Sequence, residues 1–265
     1  MVRSIVRVLA GLFRCVKLLA YFVRFGLELL VRRPATQQAR ADWLHRFCAA
    51  AVAGLGVELT VEGNFPRRGA LIANHLSYVD IVVFAAIHPC VFCSKAEIRR
   101  WPVVGWMTTM AGTVYVERGR GGSALRARTG MKAAAEAGLP VVFFPEGTTT
   151  KGEHTLPFHS GLLAQAMDAE EPITPAFLRY SLDRDNGPGI TVREYICWET
   201  TPMLLHIWRF LCLSGVHATV RFAAEPLEFS GQKLHRKVAA VEAREAVLAL
   251  AAAPELATRQ VACAP

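Results

Sequence analysis

The chain has 265 residues, 52% of them apolar, with a net charge of +8 and a mean hydropathy of +0.28. That length holds one sizeable core, or one domain with an accessory segment, and the apolar content points to contact with a membrane surface. Seven cysteines without regular spacing argue against a disulfide framework and for a reducing compartment.

Residues 1–33 carry charges at Arg3, Arg7, Arg14, Lys17, Arg24, Glu28 and Arg32. Their spacings of three, four or seven follow the helical turn of about 3.6 residues, so they predict one charged stripe on an otherwise apolar helix. No uncharged run approaches the ~20 residues of a spanning helix. The pattern predicts a helix lying in the bilayer interface, with packing on the domain as the competing reading. Much of the basic charge lies here, which favours a lipid bilayer over nucleic acid as partner. Pro34 disfavours helical geometry at Arg33 and ends the segment. A second helix over 35–55 leads into the globular part. The expected organisation is a membrane-associating helix (1–33), a connecting helix (34–54) and a catalytic domain (55–265).

Strand and helix patterns then alternate. Val57 to Val61 reads as a strand, 63–69 as a turn cluster, and Ala70 to Ala73 as a buried strand. Ser77 is placed to cap a helix running through Ile87. Strands follow at 91–93, 113–116, 139–144, 173–178 and 218–222, with helices at 123–137, 161–169 and 232–252. Leu234, Val238, Val241 and Leu248 are the expected inner face of the last helix. Asp183 to Gly189 reads as a surface loop. The fold class is α/β: a central mixed, largely parallel sheet flanked by helices, with the N-terminal amphipathic helix outside it.

Two motifs follow predicted strand ends, where open α/β sheets bind ligands. The first is Asn74-His75-Leu76-Ser77-Tyr78-Val79-Asp80. A neutral imidazole, with an ordinary pKa of about 6.5, takes a proton from an alcohol near pH 7, and a carboxylate fixes its tautomer. His75 and Asp80 meet only if His75 precedes the helix and Asp80 lies in its first turn. The same Ser-x-x-Asp spacing also fits a capping box without chemistry. The second motif is Phe144-Pro145-Glu146-Gly147-Thr148-Thr149-Thr150. Glu146 is expected at the site rim, Gly147 allows close backbone approach, and Thr148 and Thr149 supply donors. Between the motifs, Arg118 opens a Gly-rich basic stretch before a helix, which suits an anion. Lys95 either lines the same cleft or is a surface lysine. Cys90 and Cys93 sit in an apolar run and read as core. No metal-ligand pattern links the histidines, and no Gly-x-Ser-x-Gly elbow is present.

In this order, Asn-His-x4-Asp, Gly-x5-Arg, Phe-Pro-Glu-Gly-Thr and the proline-flanked strand Pro172-Ile173-Thr174-Pro175 resemble the glycerolipid acyltransferase family over about residues 55–230. The resemblance implies an O-acyltransferase with His75 as catalytic base and Asp80 as its orienting acid. It implies Arg118 on the acceptor phosphate and Glu146 and Gly147 in the acceptor motif, with Asn74, Lys95, Thr148 and Thr149 as further substrate-binding residues. Thr149-Thr150 stands where family members often have Arg-Ser. The implied reaction moves a fatty acyl group from acyl-CoA or acyl-carrier protein to a lysolipid acceptor. The first expectation is 1-acyl-sn-glycerol-3-phosphate, giving phosphatidic acid. Lyso-ornithine lipid is the alternative. No cofactor is implied. The implied place is the cytoplasmic face of the inner membrane, with peripheral or monotopic attachment. The residues alone also admit a lipid thioesterase or hydrolase using the same His-Asp pair, or a non-catalytic lipid-binding protein.

Overall fold

A computed structural model describes residues 2–116, 123–229, 235–253 and 258–260. In chain order its elements are α1 (Val2–Arg32), α2 (Gln37–Leu55), β1 (Val57–Glu62), β2 (Ala70–Ala73), α3 (Val79–Ile87), β3 (Val91–Lys95), α4 (Val104–Met110) and β4 (Val114–Val116). Then come α5 (Ser123–Glu136), β5 (Val141–Phe143), α6 (Ser160–Asp168), β6 (Ile173–Leu182), α7 (Val192–Tyr195), α8 (Met203–Leu211), β7 (Val216–Phe222), α9 (Arg236–Ala252) and β8 (Thr258–Gln260).

The strands form one sheet in the order β4-β3-β5-β2-β6-β7-β1-β8. From β4 to β6 all neighbours are parallel. The β6–β7 pairing is antiparallel, β7–β1 parallel and β1–β8 antiparallel. The expected mixed, largely parallel sheet is what forms. Strand β2 has all four residues buried, as a central strand covered on both faces must. Its alternate side chains feed two cores. Leu71 and Ala73 join Val83 and Phe84 of α3 and Phe47 of α2. Ala70 and Ile72 join Met131 of α5, Leu163 of α6 and Ala243 of α9. Because β2 and β5 are parallel neighbours, their carboxyl ends share one edge. The two motifs, some seventy residues apart in sequence, are therefore brought side by side.

Helix α2 begins with Thr36, whose hydroxyl accepts from Ala39 N. It ends at Gly56, which takes the left-handed conformation (φ +68°) that a side chain would disfavour. Against it lies α1. Phe25 and Leu29 are buried there, with Phe25 edge-on to Trp43 and Phe47 and the Trp43 indole donating to Phe25 O. The predicted charged stripe partly turns inward, toward the domain. Arg7 donates to Asn186 O and Cys212 O, and Arg14 to Leu211 O and Leu213 O. The unpaired carbonyls at the C-terminal end of α8 need donors, and these guanidinium groups supply them. The opposite flank of α1 exposes Leu9, Phe13, Val16, Leu19, Val23 and Leu30, each more than half accessible. No described helix is long and apolar enough to cross a membrane.

Helix α9 corrects one expectation. Its inner stripe is Ala239, Ala243 and Val247, all fully buried, while Val238 and Val241 are 46% and 55% exposed. Leu234 lies outside the described residues. The competing stripe carries larger apolar residues and shares the helical spacing. The seat against α6 and β6 is narrow, so small side chains win it. Helices α7 and α8 and strand β8 have no counterpart in the sequence reading.

The second half of the sheet holds a buried ion pair. Arg221 on β7 donates to Glu62 on β1 at 2.6 Å and to the carbonyls of Leu250 and Ala253 at 2.6 Å each. Arg221 thereby ties the end of α9 to the sheet. Removing one partner of a buried ion pair costs about 3–5 kcal/mol. Arg221→Met is expected to lower unfolding free energy by about that amount in urea titrations. A midpoint equal to the parent's would refute this role.

Candidate active site

The site starts where β2 ends. Asn74, 3% exposed, sends its side-chain amide to Leu178 O (2.9 Å) and accepts from Leu178 N (2.8 Å). That bidentate bond to β6 consumes both ends of the amide. Expected as a substrate-binding residue, Asn74 is instead placed in the wall, where it fixes the direction in which the chain leaves the strand.

His75 follows. Its ring lies flat on Phe144, with centroids 4.0 Å apart and planes 5° from parallel. Its Nδ1 is 2.8 Å from Asp80 Oδ2. With Nδ1–H donating to the carboxylate, the lone pair sits on Nε2, the nitrogen left for a substrate proton. The imidazole keeps 15% of its surface accessible, whereas Asp80 keeps none.

Asp80 lies in the first turn of α3, as the spacing required. Its Oδ2 also accepts from Leu76 N (2.6 Å) and Ser77 N (2.9 Å), and its Oδ1 accepts from the Tyr180 hydroxyl (2.8 Å). Of the expected capping box, the half that forms is the Asp80 carboxylate accepting from Ser77 N. The helix opens at Val79 with Tyr78 before it, one residue later than Ser77 predicts. A carboxylate inside the helix gathers the loop amides, because a fully buried anion needs donors more than the helix end needs a hydroxyl. Ser77 is itself buried, and its hydroxyl accepts a long bond of 3.4 Å from Val79 N.

The second motif closes over the first. Glu146 does not stand at the rim. It is 2% exposed, and its two oxygens accept from His75 N and Leu156 N, each at 2.7 Å. Burial raises its pKa above the ordinary carboxylate value, and the two amide donors oppose that rise. Thr150 N donates to His75 O at 3.1 Å. His75 is thus held on both sides of its own peptide by the 144–150 loop. Gly147 turns that loop with φ +66°, a region that suits glycine. Thr149 and Thr150 are buried and Thr148 is exposed. Lys95 is exposed at the end of β3, two strands from β2 and so about 10 Å away along the sheet edge. Arg118 lies outside the described residues.

Several residues of this constellation escape a linear reading. Tyr180 stands on β6 two positions beyond Leu178 and so on the same sheet face. A buried tyrosine hydroxyl seeks a partner, and that was the available signal. Tyr78 meets the buried His206 of α8 at 3.0 Å, and His206 in turn approaches Cys197 O at 3.1 Å. Burial lowers the His206 pKa, and the hydrogen bond to Cys197 O opposes that fall. Trp198 N donates to Leu76 O at 2.8 Å. Cys197 packs near Leu76, and burial pushes its thiol up to about 12. A thiol held that high is a poor nucleophile at neutral pH. An imidazole with Nδ1 held by a buried carboxylate and Nε2 uncommitted can accept a proton from a hydroxyl.

The comparisons with known proteins agree. The acyltransferase family model matches residues 57–179. The lyso-ornithine lipid O-acyltransferase of Pseudomonas aeruginosa is 36% identical over 216 residues, covering 81% of this chain and 78% of that protein. A 1-acyl-sn-glycerol-3-phosphate acyltransferase of Neisseria gonorrhoeae is also 36% identical, over 49% of this chain and 52% of its own length. The crystal structure of the 1-acyl-sn-glycerophosphate acyltransferase of Thermotoga maritima shares the fold, with a TM-score of 0.65 at 21% identity over 96% of this chain and 99% of that one. Matched in sequence over most of its length and in fold over nearly all of it, this chain belongs to the acyltransferase family and is an O-acyltransferase.

Proposed function

We propose that the protein moves a fatty acyl group from a thioester to the free hydroxyl of a lysolipid, with His75 as general base. The observation that carries this is the His75 Nδ1–Asp80 pair at 2.8 Å, which leaves Nε2 to take a proton. The acceptor oxygen attacks the thioester carbonyl as Nε2 takes its proton. Asp80 stabilises the imidazolium. The tetrahedral intermediate then expels the thiolate, which takes the proton back from His75. The donor in this reading is acyl-CoA or acyl-carrier protein, and no cofactor takes part. Gly147, Thr148, Arg118 and Lys95 belong to the acceptor side.

Lyso-ornithine lipid is the acceptor we favour. Relatives acting on it match 81% and 73% of the chain. In sequence, the relatives named for 1-acyl-sn-glycerol-3-phosphate match about half, between the 59% and 43% of two further lyso-ornithine lipid relatives. Thr149, 8% exposed, also presents no cation to a phosphate. Lysophosphatidate is the second reading, supported by those same half-length matches. Purified protein in mixed micelles with acyl-CoA decides between them. We expect acyl transfer to lyso-ornithine lipid to exceed transfer to lysophosphatidate at equal concentration. The reverse order would reassign the headgroup. Free fatty acid as the sole product would make the protein a thioesterase.

The bilayer is the proposed partner of the exposed flank of α1, with the active site at the cytoplasmic face of the inner membrane. The unpaired cysteines among the described residues fit a reducing compartment. Burying an apolar side chain fully is worth about 1.5–3 kcal/mol. Replacing Leu9, Phe13 and Val16 together by aspartate is therefore expected to weaken vesicle binding more than tenfold in co-sedimentation. Unchanged binding would show that this flank is not the membrane surface.

A further inference from the structure

We propose that Tyr180 is a positioning residue for the acyl transfer, acting through Asp80 on His75. Its hydroxyl donates to Asp80 Oδ1 at 2.8 Å. The other carboxylate oxygen is left to His75 Nδ1 and the amides of Leu76 and Ser77. Without a donor on Oδ1, the carboxylate is anchored through Oδ2 alone and its plane can tilt about that anchor. With it, both oxygens are assigned and the plane of the carboxylate is set, which in turn sets the imidazole. Tyr180 is itself immobile, being 5% exposed on the long strand β6. Two residues earlier, the backbone of Leu178 holds Asn74 from both sides. Strand β6 therefore grips the Asn74–Asp80 segment at its first residue and its last. The geometry of the His-Asp pair is dictated by a strand that contributes nothing to either sequence motif.

The groups around Asp80 make the effect readable. His75 faces it across the loop, Tyr180 from β6, Glu146 from the second motif and Cys197 from the segment after α7, while Tyr78, from the turn before α3, lies within electrostatic reach of Tyr180. Burial and the neighbouring carboxylate drive the Tyr180 phenol well above its ordinary value, so it remains a donor over any working pH. Removing the donor leaves more negative charge on the oxygens that face His75. The imidazolium is then favoured, and the base is lost to protonation at a higher pH.

The inference rests on His75 being the base, so His75→Ala is measured alongside. Tyr180→Phe keeps the ring and deletes the hydroxyl. We expect kcat to fall about tenfold, KM for donor and acceptor to stay within twofold, and the acid limb of the kcat/KM profile to move to higher pH. A loss that leaves the acid limb in place, or a rise in KM with unchanged kcat, would overturn the proposal and reduce Tyr180 to a packing residue. An inert His75→Ala with a fully active Tyr180→Phe would refute the positioning role and spare the base. An active His75→Ala would refute both. Should Tyr180→Phe fail to fold, 3-fluorotyrosine in place of Tyr180 tests the same bond. Its more acidic phenol donates more strongly, so the acid limb is expected to move to lower pH, and an unmoved limb refutes the proposal.

Discussion

His75→Ala is expected to lower acyl transfer by about 10²–10⁴-fold, the span that general-base catalysis usually supplies, while leaving the protein folded. The two halves of that expectation have separate physical grounds. The proton of the acceptor hydroxyl has no other destination in the proposed chemistry than Nε2. The fold, by contrast, uses the backbone of residue 75 and not its imidazole. His75 N bonds Glu146 and His75 O receives Thr150 N, and both bonds survive the substitution. Asp80 loses one donor but keeps Leu76 N, Ser77 N and the Tyr180 hydroxyl. The stacking on Phe144 is lost, which should show as a small fall in Tm. Transfer rates from mixed micelles and a thermal melt read the two effects independently. A variant keeping more than a tenth of the parent rate would exclude His75 as the base.

Asp80→Asn carries the second large effect, and the structure specifies its origin. In many His-carboxylate pairs the amide variant fails because the amide turns its NH₂ toward the imidazole and enforces the wrong tautomer. Here the amides of Leu76 and Ser77 hold whatever atom occupies the Oδ2 position. They demand an acceptor, so the asparagine oxygen stays facing His75, and the NH₂ falls beside Tyr180, whose hydroxyl can accept. The tautomer is kept and only the negative charge is removed. A unit charge about 4 Å from a developing imidazolium is worth roughly 4 kcal/mol at an effective dielectric near 20, which corresponds to about a thousandfold in rate. We expect kcat to fall by that order with KM little changed. Asp80→Ala should lose the same activity and also stability, because two buried loop amides are then left without an acceptor. Asp80→Asn within tenfold of the parent would show that the carboxylate serves the loop alone.

The chemistry was legible in one dimension because strand ends announce themselves. Val141-Val142-Phe143 runs out just before Pro145, and Ala70 to Ala73 stops at polar residues, so the sequence itself places both motifs at an edge. The five-residue separation of His75 and Asp80 allowed one geometry, with the histidine before the helix and the aspartate in its first turn, and that geometry is what forms. Glu146 was misplaced at the rim, because a glutamate in a loop looks like a solvent-facing group until its two amide partners are seen. The hold on the Asn74 amide is likewise unreadable in the sequence. Its Leu178 partner is 104 residues away. The α9 inner face was misread because hydrophobic periodicity weighs side-chain size, whereas the seat selects alanine.

From its sequence alone this chain declares an α/β fold, the position of its two motifs at strand ends, the His-Asp pair and an amphipathic leader. These follow from local rules, namely the alternation of strands, the pitch of a helix and the punctuation of proline and glycine. Tertiary structure alone decides which strands become neighbours, and hence that Glu146 braces His75 and that Tyr180 holds Asp80. It also decides which face of α1 meets the protein, since Arg7 and Arg14 turn inward to carbonyls that lie about two hundred residues further along the chain. The reason is common to all of these. A buried polar group is satisfied by whatever partner the packing delivers, and packing joins residues that sequence distance keeps apart.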